Sequence, residues 1–173
     1  RKSGNGTRFD GLDMASELAD HFLACIDTTS DSLMFAIWAL SREENRKYQE
    51  KLIDEVDQIP NTDCNGEGNP KAEAVDKLPY LDAVIKETLR LYAPLPASEP
   101  RSIPADTTID GYLIPAGTVV SMSPYTLHCN PEVFPEPLKF KPERWLGQCG
   151  DLAEMKKWFW AFSSGGRMGI GLK

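Results

Sequence analysis

The chain has 173 residues and a net charge of −7 at neutral pH, and this acidity argues against nucleic acid as a partner, because binding phosphates requires a basic face. Chains near this length bury roughly 70% of their unfolded surface, so the length suffices for one domain with a sizeable core. The four cysteines lack Cys-x-x-Cys spacing and neither histidine has a second ligand at metal-site spacing, so we expect reduced thiols and no zinc site.

The first predicted element is a long helix. Residues 1–8, with two glycines and three basic side chains, predict a linker. Residues 13–40 then have a helical pattern that is apolar on most sides, which predicts a helix enclosed by other elements. Asp27 and Asp31 interrupt its most apolar stretch, residues 22–40, and charges are costly at a bilayer centre. We therefore interpret this helix as a buried helix of a soluble domain and not as a membrane span.

A polar cluster, Ala24-Cys25-Ile26-Asp27-Thr28-Thr29-Ser30, lies in the middle of that helix. Its side chains compete for backbone hydrogen bonds and are weak helix formers. The local pattern leaves two interpretations open. Either two helices meet here, with Asp27 or Thr28 capping the second, or one helix opens locally where a ligand approaches.

Two shorter helices are predicted next. Ser41-Arg42-Glu43-Glu44 has the form of a capping box and predicts the start of the first. Residues 59–72, rich in Asn, Gly and Pro, predict a loop. Pro79 suits the first turn of the second helix, which Pro94 prevents from continuing.

Glu87 and Arg90 are three residues apart and share one side of the Pro79 helix. Such a pair is usually a solvated surface bridge that contributes roughly 0 to 1 kcal/mol. A buried alternative would need further partners, and the downstream segment Lys141-Pro142-Glu143-Arg144-Trp145 supplies one candidate, Arg144.

Between these two motifs, residues 107–120 contain β-prone runs punctuated by Asp110-Gly111 and Pro115-Ala116-Gly117, which predict short antiparallel strands. Arg101 precedes these runs, and an arginine in this position is usually just exposed. His128 lies near a predicted turn, where a lone histidine is usually structural or solvated.

The glycine-rich stretch from Phe162 to Gly171 surrounds Arg167 with glycines, so the backbone can pass close to a flat or anionic group. A dinucleotide-binding loop is one interpretation, since Gly166-x-x-Gly169 matches part of that fingerprint. The fingerprint also needs a following helix and an acidic residue about 20 positions further on. The sequence stops at Lys173, so we set this interpretation aside.

The same stretch resembles the haem-binding loop of the cytochrome P450 family of haem-thiolate monooxygenases, whose pattern is Phe-x-x-Gly-x-Arg-x-Cys-x-Gly. Phe162, Gly165, Arg167 and Gly171 fall in register with this pattern. Gly169 stands where the family has the cysteine that ligates iron. Glycine has no side-chain atom that could ligate a metal.

Three other motifs in family order support the resemblance. The family's oxygen-binding helix carries Ala/Gly-Gly-x-Asp/Glu-Thr-Thr/Ser, which residues 24–29 match except that Cys25 replaces the glycine. This likeness favours one continuous helix over two. The family also buries its Glu-x-x-Arg pair against the arginine of a Pro-Glu-Arg segment, which implies a scaffold triad of Glu87, Arg90 and Arg144.

The resemblance implies a mainly α fold with a small antiparallel β-sheet, an α+β arrangement, in which residues 1–173 form the C-terminal half of a cytochrome P450 domain. It implies an enzyme that inserts one oxygen atom from O2 into a small hydrophobic organic substrate. The cofactor is haem, and the electrons come from NADPH through a flavin reductase. The resemblance assigns proton delivery to Asp27 and Thr28. It assigns haem contacts to six further residues, Arg101, His128, Phe162, Gly165, Arg167 and Gly171.

By the same resemblance, the protein is expected at the cytoplasmic face of the endoplasmic reticulum membrane, held by an anchor ahead of residue 1. The competing hypothesis is a truncated, catalytically dead relic that lacks the axial thiolate. A third hypothesis, an unrelated acidic helical interaction domain, leaves the ordered series of motifs unexplained.

Overall fold

The fold of the chain is mainly helical, as predicted. A computed structural model describes residues 11–96 and 99–163. Helices α1 to α6 span Gly11–Ser41, Arg46–Asp57, Ala72–Val75, Pro79–Leu91, Pro124–His128 and Leu152–Trp158, and 3-10 turns span Glu43–Asn45, Asn61–Asp63 and Pro142–Leu146.

The strands form two small antiparallel sheets, where the sequence predicted one. Strand β1 (Glu99–Ser102) pairs with β4 (Val119–Met122), and β2 (Thr107–Ile109) pairs with β3 (Tyr112–Ile114). Asp110 and Gly111 join β2 to β3 with φ values of 49° and 82°. Asp-Gly is a preferred pair in two-residue hairpin turns, because both central residues of such a turn adopt positive φ.

Helix α1 is continuous through its polar cluster, so the two-helix interpretation is wrong. The hydroxyls of Thr28, Ser30 and Ser32 donate to the carbonyl oxygens four residues earlier, at 2.7, 2.8 and 2.7 Å. Each hydroxyl thus finds its acceptor within the same helix, and the polar cluster does not break the helix.

The prediction that α1 is enclosed is also wrong for the described part of the chain. Side chains 11–27 are all exposed, and the apolar residues Leu18 and Phe22 expose 68% and 67% of their surfaces. Only the C-terminal half packs on other elements: Phe35 stacks on Tyr92, and Ala39 is buried in the core. By length and composition α1 is one helix that could cross a membrane, a test that core helices of soluble proteins also pass.

The predicted capping box does not form. Ser41 is the last residue of α1, and its hydroxyl donates to the Trp38 carbonyl at 2.8 Å. The end of α1 is closed by the buried Asn45, whose side-chain amide donates to the Ala39 carbonyl at 2.9 Å. Because α1 continues through Ser41, this serine is unavailable to cap α2, which begins at Arg46.

Helix α4 is the centre of the packing. Pro79 occupies its first turn, as predicted. Tyr80, Val84 and Leu91 contribute to a core cluster completed by Ala39, Tyr48 and Phe140. On another side of α4, Ala83 belongs to a second cluster with Phe134, Trp145 and Met155. This burial of apolar surface on two sides fixes α4 against both α1 and the segment that follows the sheets.

Candidate functional site

The buried carboxylate of Glu87 lies at the junction of α4 and the 3-10 turn at Pro142–Leu146. Arg90 reaches both of its oxygens, with Nε and Nη2 each at 2.9 Å. Arg144 Nε donates to Oε1 at 3.0 Å, and the Lys141 backbone N–H does so at 2.9 Å. Trp145 Nε1 donates to Oε2 at 3.0 Å. The carboxylate is therefore surrounded by donors.

The two guanidinium groups use their remaining N–H groups on backbone carbonyls. Arg90 Nη1 donates to the His128 carbonyl at 2.7 Å, and Arg144 Nη1 donates to the Pro135 carbonyl at 3.1 Å. Both arginines also approach the Lys139 carbonyl at 3.4 Å. Every buried side-chain nitrogen and oxygen in the described residues has a hydrogen-bond partner.

The three charged side chains are 0% exposed, which makes their mutual pairing structurally important. Removing one partner of a buried ion pair typically costs about 3–5 kcal/mol, because the other charge is left uncompensated. The geometry joins α4 to the segment at residues 135–145. None of the three side chains lines the cavity described next.

A cavity of about 430 Å³ lies between α1, α4 and the last described residues, and we call it the α1–α4 cavity. Its surface is mainly apolar, with hydroxyl groups from both helices. The lining residues are Thr28, Thr29, Ser32, Leu33, Ala36, Ile85, Thr88, Leu89, Ala93, Pro94, Leu95, Pro124, Ala161 and Phe162.

The structure brings two of the predicted site residues together at this cavity. Thr28 is half-buried on the α1 side, and its hydroxyl donates to the Ala24 carbonyl at 2.7 Å. Phe162 lines the cavity from the end of the described chain and is 46% exposed. Asp27, which was predicted to act with Thr28, is exposed and does not line the cavity.

The sequence suggested that Arg101 precedes the strands, but it lies within β1 of the first sheet. It pairs with Val120 across β1 and β4, because pairing with β4 begins already at Glu99. Its exposed side chain donates from Nη1 to the Pro100 carbonyl at 2.9 Å. Arg101 is not among the residues that line the α1–α4 cavity.

The assignment of His128 to a haem carboxylate stays a prediction from the resemblance. The His128 ring is fully buried, with Nδ1 at 3.1 Å from the Arg90 carbonyl and Nε2 at 2.8 Å from the Trp160 backbone nitrogen. Both ring nitrogens are thus used inside the protein. Burial lowers the pKa of His128 from 6.5 to about 4, which keeps the imidazole neutral at physiological pH.

Four other predicted site residues, Gly165, Arg167, Gly169 and Gly171, lie outside the described residues. Their roles stay predictions from the sequence.

Sequence reasoning missed two contributors to the site. Trp145 donates to Glu87 from 58 positions away. A buried indole N–H usually finds an acceptor, so its position next to Arg144 was the available signal. Thr88 lines the α1–α4 cavity from between Glu87 and Arg90, and its hydroxyl donates to the Val84 carbonyl at 2.8 Å. Helical periodicity would have placed Thr88 on a different side of α4 from the ion pair.

A sequence model of the family described as Cytochrome P450 matches residues 1–173. The chain belongs to the cytochrome P450 family. Curated relatives agree, and they are much longer than this chain.

The chain is 35% identical to cheilanthifoline synthase of Eschscholzia californica over 173 residues, which cover 98% of the chain and 34% of that relative. It is 35% identical to cytochrome P450 monooxygenase orf2 of Aspergillus niger over 165 residues, 95% of the chain and 31% of the relative. It is also 41% identical to inactive cytochrome P450 monooxygenase cloA of Claviceps fusiformis over 122 residues, 70% and 23% of the two chains. This cytochrome P450 chain thus spans about a third of the length of the first two.

Haem is the cofactor of the cytochrome P450 family, and the residues of this chain fit it only in part. The apolar lining of the α1–α4 cavity suits the face of a macrocycle. The sequence pattern predicts that Gly169 stands at the family's cysteine position, and a glycine there would supply no side-chain ligand to iron.

Proposed function

We propose that the whole protein has the architecture of a haem-dependent monooxygenase, an enzyme that inserts one oxygen atom from O2 into an organic substrate. The observation that carries this proposal is the α1–α4 cavity, where Thr28 on α1 and Phe162 line the same space. The resemblance assigns proton delivery to Thr28 and a haem contact to Phe162, and a shared cavity is what both roles would require. Bound haem would supply oxygen activation in such an enzyme.

The proposed roles of the chain's own residues follow from their positions. Thr28 presents a hydroxyl at the edge of an apolar cavity, where it can hold a water molecule or pass on a proton. Asp27 is its neighbour on the solvent side of α1 and can exchange protons with bulk water. Glu87, Arg90 and Arg144 act as a scaffold that holds α4, the opposite side of the cavity, in place.

We propose a small hydrophobic substrate, because the lining of the cavity is mainly apolar. Electrons would come from NADPH through a flavin reductase. The proposed location is the cytoplasmic face of the endoplasmic reticulum membrane, with an anchor ahead of residue 1.

Position 169 decides whether this chain retains the activity. The test is to prepare the full-length protein with Gly169 and as the variants Gly169→Cys and Gly169→Ser. We expect Gly169→Cys to raise haem retention and to give the reduced carbon monoxide spectrum of a thiolate-ligated haem. Gly169→Ser is the matched control, because it adds a side chain of nearly the same size without sulfur. Identical spectra for all three proteins would contradict the ligand assignment.

A second candidate function is that of a catalytically inactive member of the family. Two departures from the family pattern favour it, namely Gly169 at the ligand position and Cys25 where the oxygen-binding helix usually has glycine. The Gly169 protein then binds haem weakly or not at all, and it forms no product from O2 in the presence of a reductase. Reductase-dependent product formation by the Gly169 protein would exclude this second candidate.

A further inference from the structure

His128, the last residue of α5, makes two hydrogen bonds that define its protonation state. Nδ1 faces the Arg90 carbonyl at 3.1 Å, and Nε2 faces the Trp160 backbone N–H at 2.8 Å. A carbonyl oxygen accepts only, and a backbone N–H donates only. Nδ1 therefore carries the hydrogen and Nε2 accepts, so these contacts require the neutral imidazole with its hydrogen on Nδ1.

Aromatic packing holds the same ring in place. Phe159 stacks on it with ring centroids 5.4 Å apart and an angle of 21° between the planes. Phe134 approaches edge-on at 6.4 Å and 77°. The ring is 0% exposed, so water does not compete for its two hydrogen bonds.

The two bonds join α4 to the segment that ends at the cavity. Arg90 belongs to the buried triad, and its guanidinium donates to the backbone carbonyl of His128 itself at 2.7 Å. Trp160 comes two residues before Phe162, which lines the α1–α4 cavity together with Ala161. His128 is thus placed between the scaffold of the site and one of its walls.

We propose that His128 is a positioning residue, whose neutral imidazole fixes residues 159–162 relative to α4 and so sets the wall of the cavity that contains Phe162. The nature of the molecule in the cavity rests on the proposed function. The role of His128 in holding the cavity wall rests on its hydrogen bonds.

The proposal predicts a defined pH response. Burial lowers the pKa of His128 to about 4, while the charged groups that act on the ring from α4, Arg90 and Glu87, oppose each other. Phe134 and Phe159 add no titratable group. An unfolded histidine has a pKa near 6.5, so between about pH 6.5 and 4 only the unfolded chain gains the proton, and stability falls as the pH falls. Below about pH 4 the folded imidazole is charged and its Nε2 no longer accepts from Trp160.

Amide hydrogen exchange of Trp160 in the full-length protein tests this inference. Rates are converted to protection factors and compared with those of Met155, whose N–H bonds to the Asp151 carbonyl at 2.9 Å in α6. His128→Phe keeps an aromatic ring but loses both bonds, and we expect it to lower the protection of Trp160 relative to Met155 roughly tenfold. His128→Gln places a carbonyl oxygen near the Nε2 position and should retain most of the protection. His128→Asn should retain the donor to Arg90 and lose the protection.

The pH dependence supplies the measurement that needs no variant. Trp160 protection relative to Met155 should drop in the unsubstituted protein near pH 4, and it should be independent of pH in His128→Phe. Equal protection ratios for all variants at neutral pH, or a ratio that does not change through pH 4, would overturn the proposal. The readout involves no haem, so it is independent of the spectra that test the proposed function.

Discussion

The Glu87 carboxylate shows how single residues hold this site together. It accepts from two guanidinium groups, one backbone N–H and the Trp145 indole, all without access to water. The two arginines supply the positive charge. Replacing either one would destabilise the fold mainly because the buried Glu87 carboxylate would lose part of its charge compensation. Trp145 is the neutral member, so its indole N–H can be removed without changing the charge of the site.

We predict that Trp145→Phe lowers the free energy of unfolding of the full-length protein by about 1–3 kcal/mol, because a buried carboxylate loses a donor that water cannot replace. The measurement is urea denaturation. Trp158→Phe is the matched control: its indole donates to Glu154 at 2.9 Å in a more exposed place, and water can take over that bond. An equal decrease in the free energy of unfolding for the two variants would show that the indole hydrogen bond to Glu87 stabilises the fold no more than an exposed one.

At the scale of elements, helix α4 depends on a cap from another helix. Leu78 stands at its N-cap position and makes no side-chain capping bond. The Glu55 carboxylate of α2 accepts instead from the backbone N–H groups of Tyr80 and Leu81, both at 2.8 Å. A negative charge here also suits the positive end of the helix dipole. The cap thereby joins α2 to the helix that carries Glu87 and Arg90 of the buried triad.

We predict that Glu55→Ala costs about 1–2 kcal/mol of stability, because two N-terminal N–H groups of α4 lose their acceptor. Thermal and urea unfolding of the full-length protein measure this loss. Glu50→Ala on the same helix is the control. Glu50 pairs with Arg46 on the surface at 3.2 Å, so its loss should cost about 0.5 kcal/mol or less. If Glu50→Ala proved as costly as Glu55→Ala, the capping role would be refuted.

The sequence was sufficient for elements whose signals are local. Pro79 and Pro94 predicted the start and the limit of α4, and Asp110-Gly111 predicted the turn between β2 and β3. The capping box at Ser41 was wrong because a local motif cannot reveal that the preceding helix continues through it. Contacts across long separations were also hidden, such as Glu55 to Tyr80 and Trp145 to Glu87.

The candidate site was predictable where a family motif fixed the partners. The order of the motifs paired Glu87 and Arg90 with Arg144, and the structure places all three in contact. For His128 the resemblance predicts a haem carboxylate as partner, and that role stays a prediction. The structure shows that both of its ring nitrogens form hydrogen bonds with backbone groups. A motif position specifies which residue is present, but the tautomer and the hydrogen-bond partners depend on the packing around it.

At the scale of the whole molecule, the exposed apolar surface of α1 stands out. Leu12, Leu18 and Phe22 expose 79%, 68% and 67% of their surfaces, and the described part of the chain packs only on the C-terminal half of this helix. A large exposed apolar surface is typical of an interface. The chain spans 34% of the length of cheilanthifoline synthase, and we propose that in a full-length protein other segments cover this face of α1.

We therefore predict opposite effects of one double variant in two contexts. In the isolated chain, Leu18→Gln with Phe22→Gln should raise the monomeric fraction in size-exclusion chromatography, because less apolar surface is exposed. In the full-length protein the same pair should lower the free energy of unfolding by about 1.5–3 kcal/mol per residue, since covered side chains would lose their burial. Glu17→Gln with His21→Gln, at the same spacing one residue earlier, is the control and should be nearly neutral in both contexts. If the full-length protein tolerated both pairs equally, this face of α1 would be solvent-exposed there too, and the covering interface would be refuted.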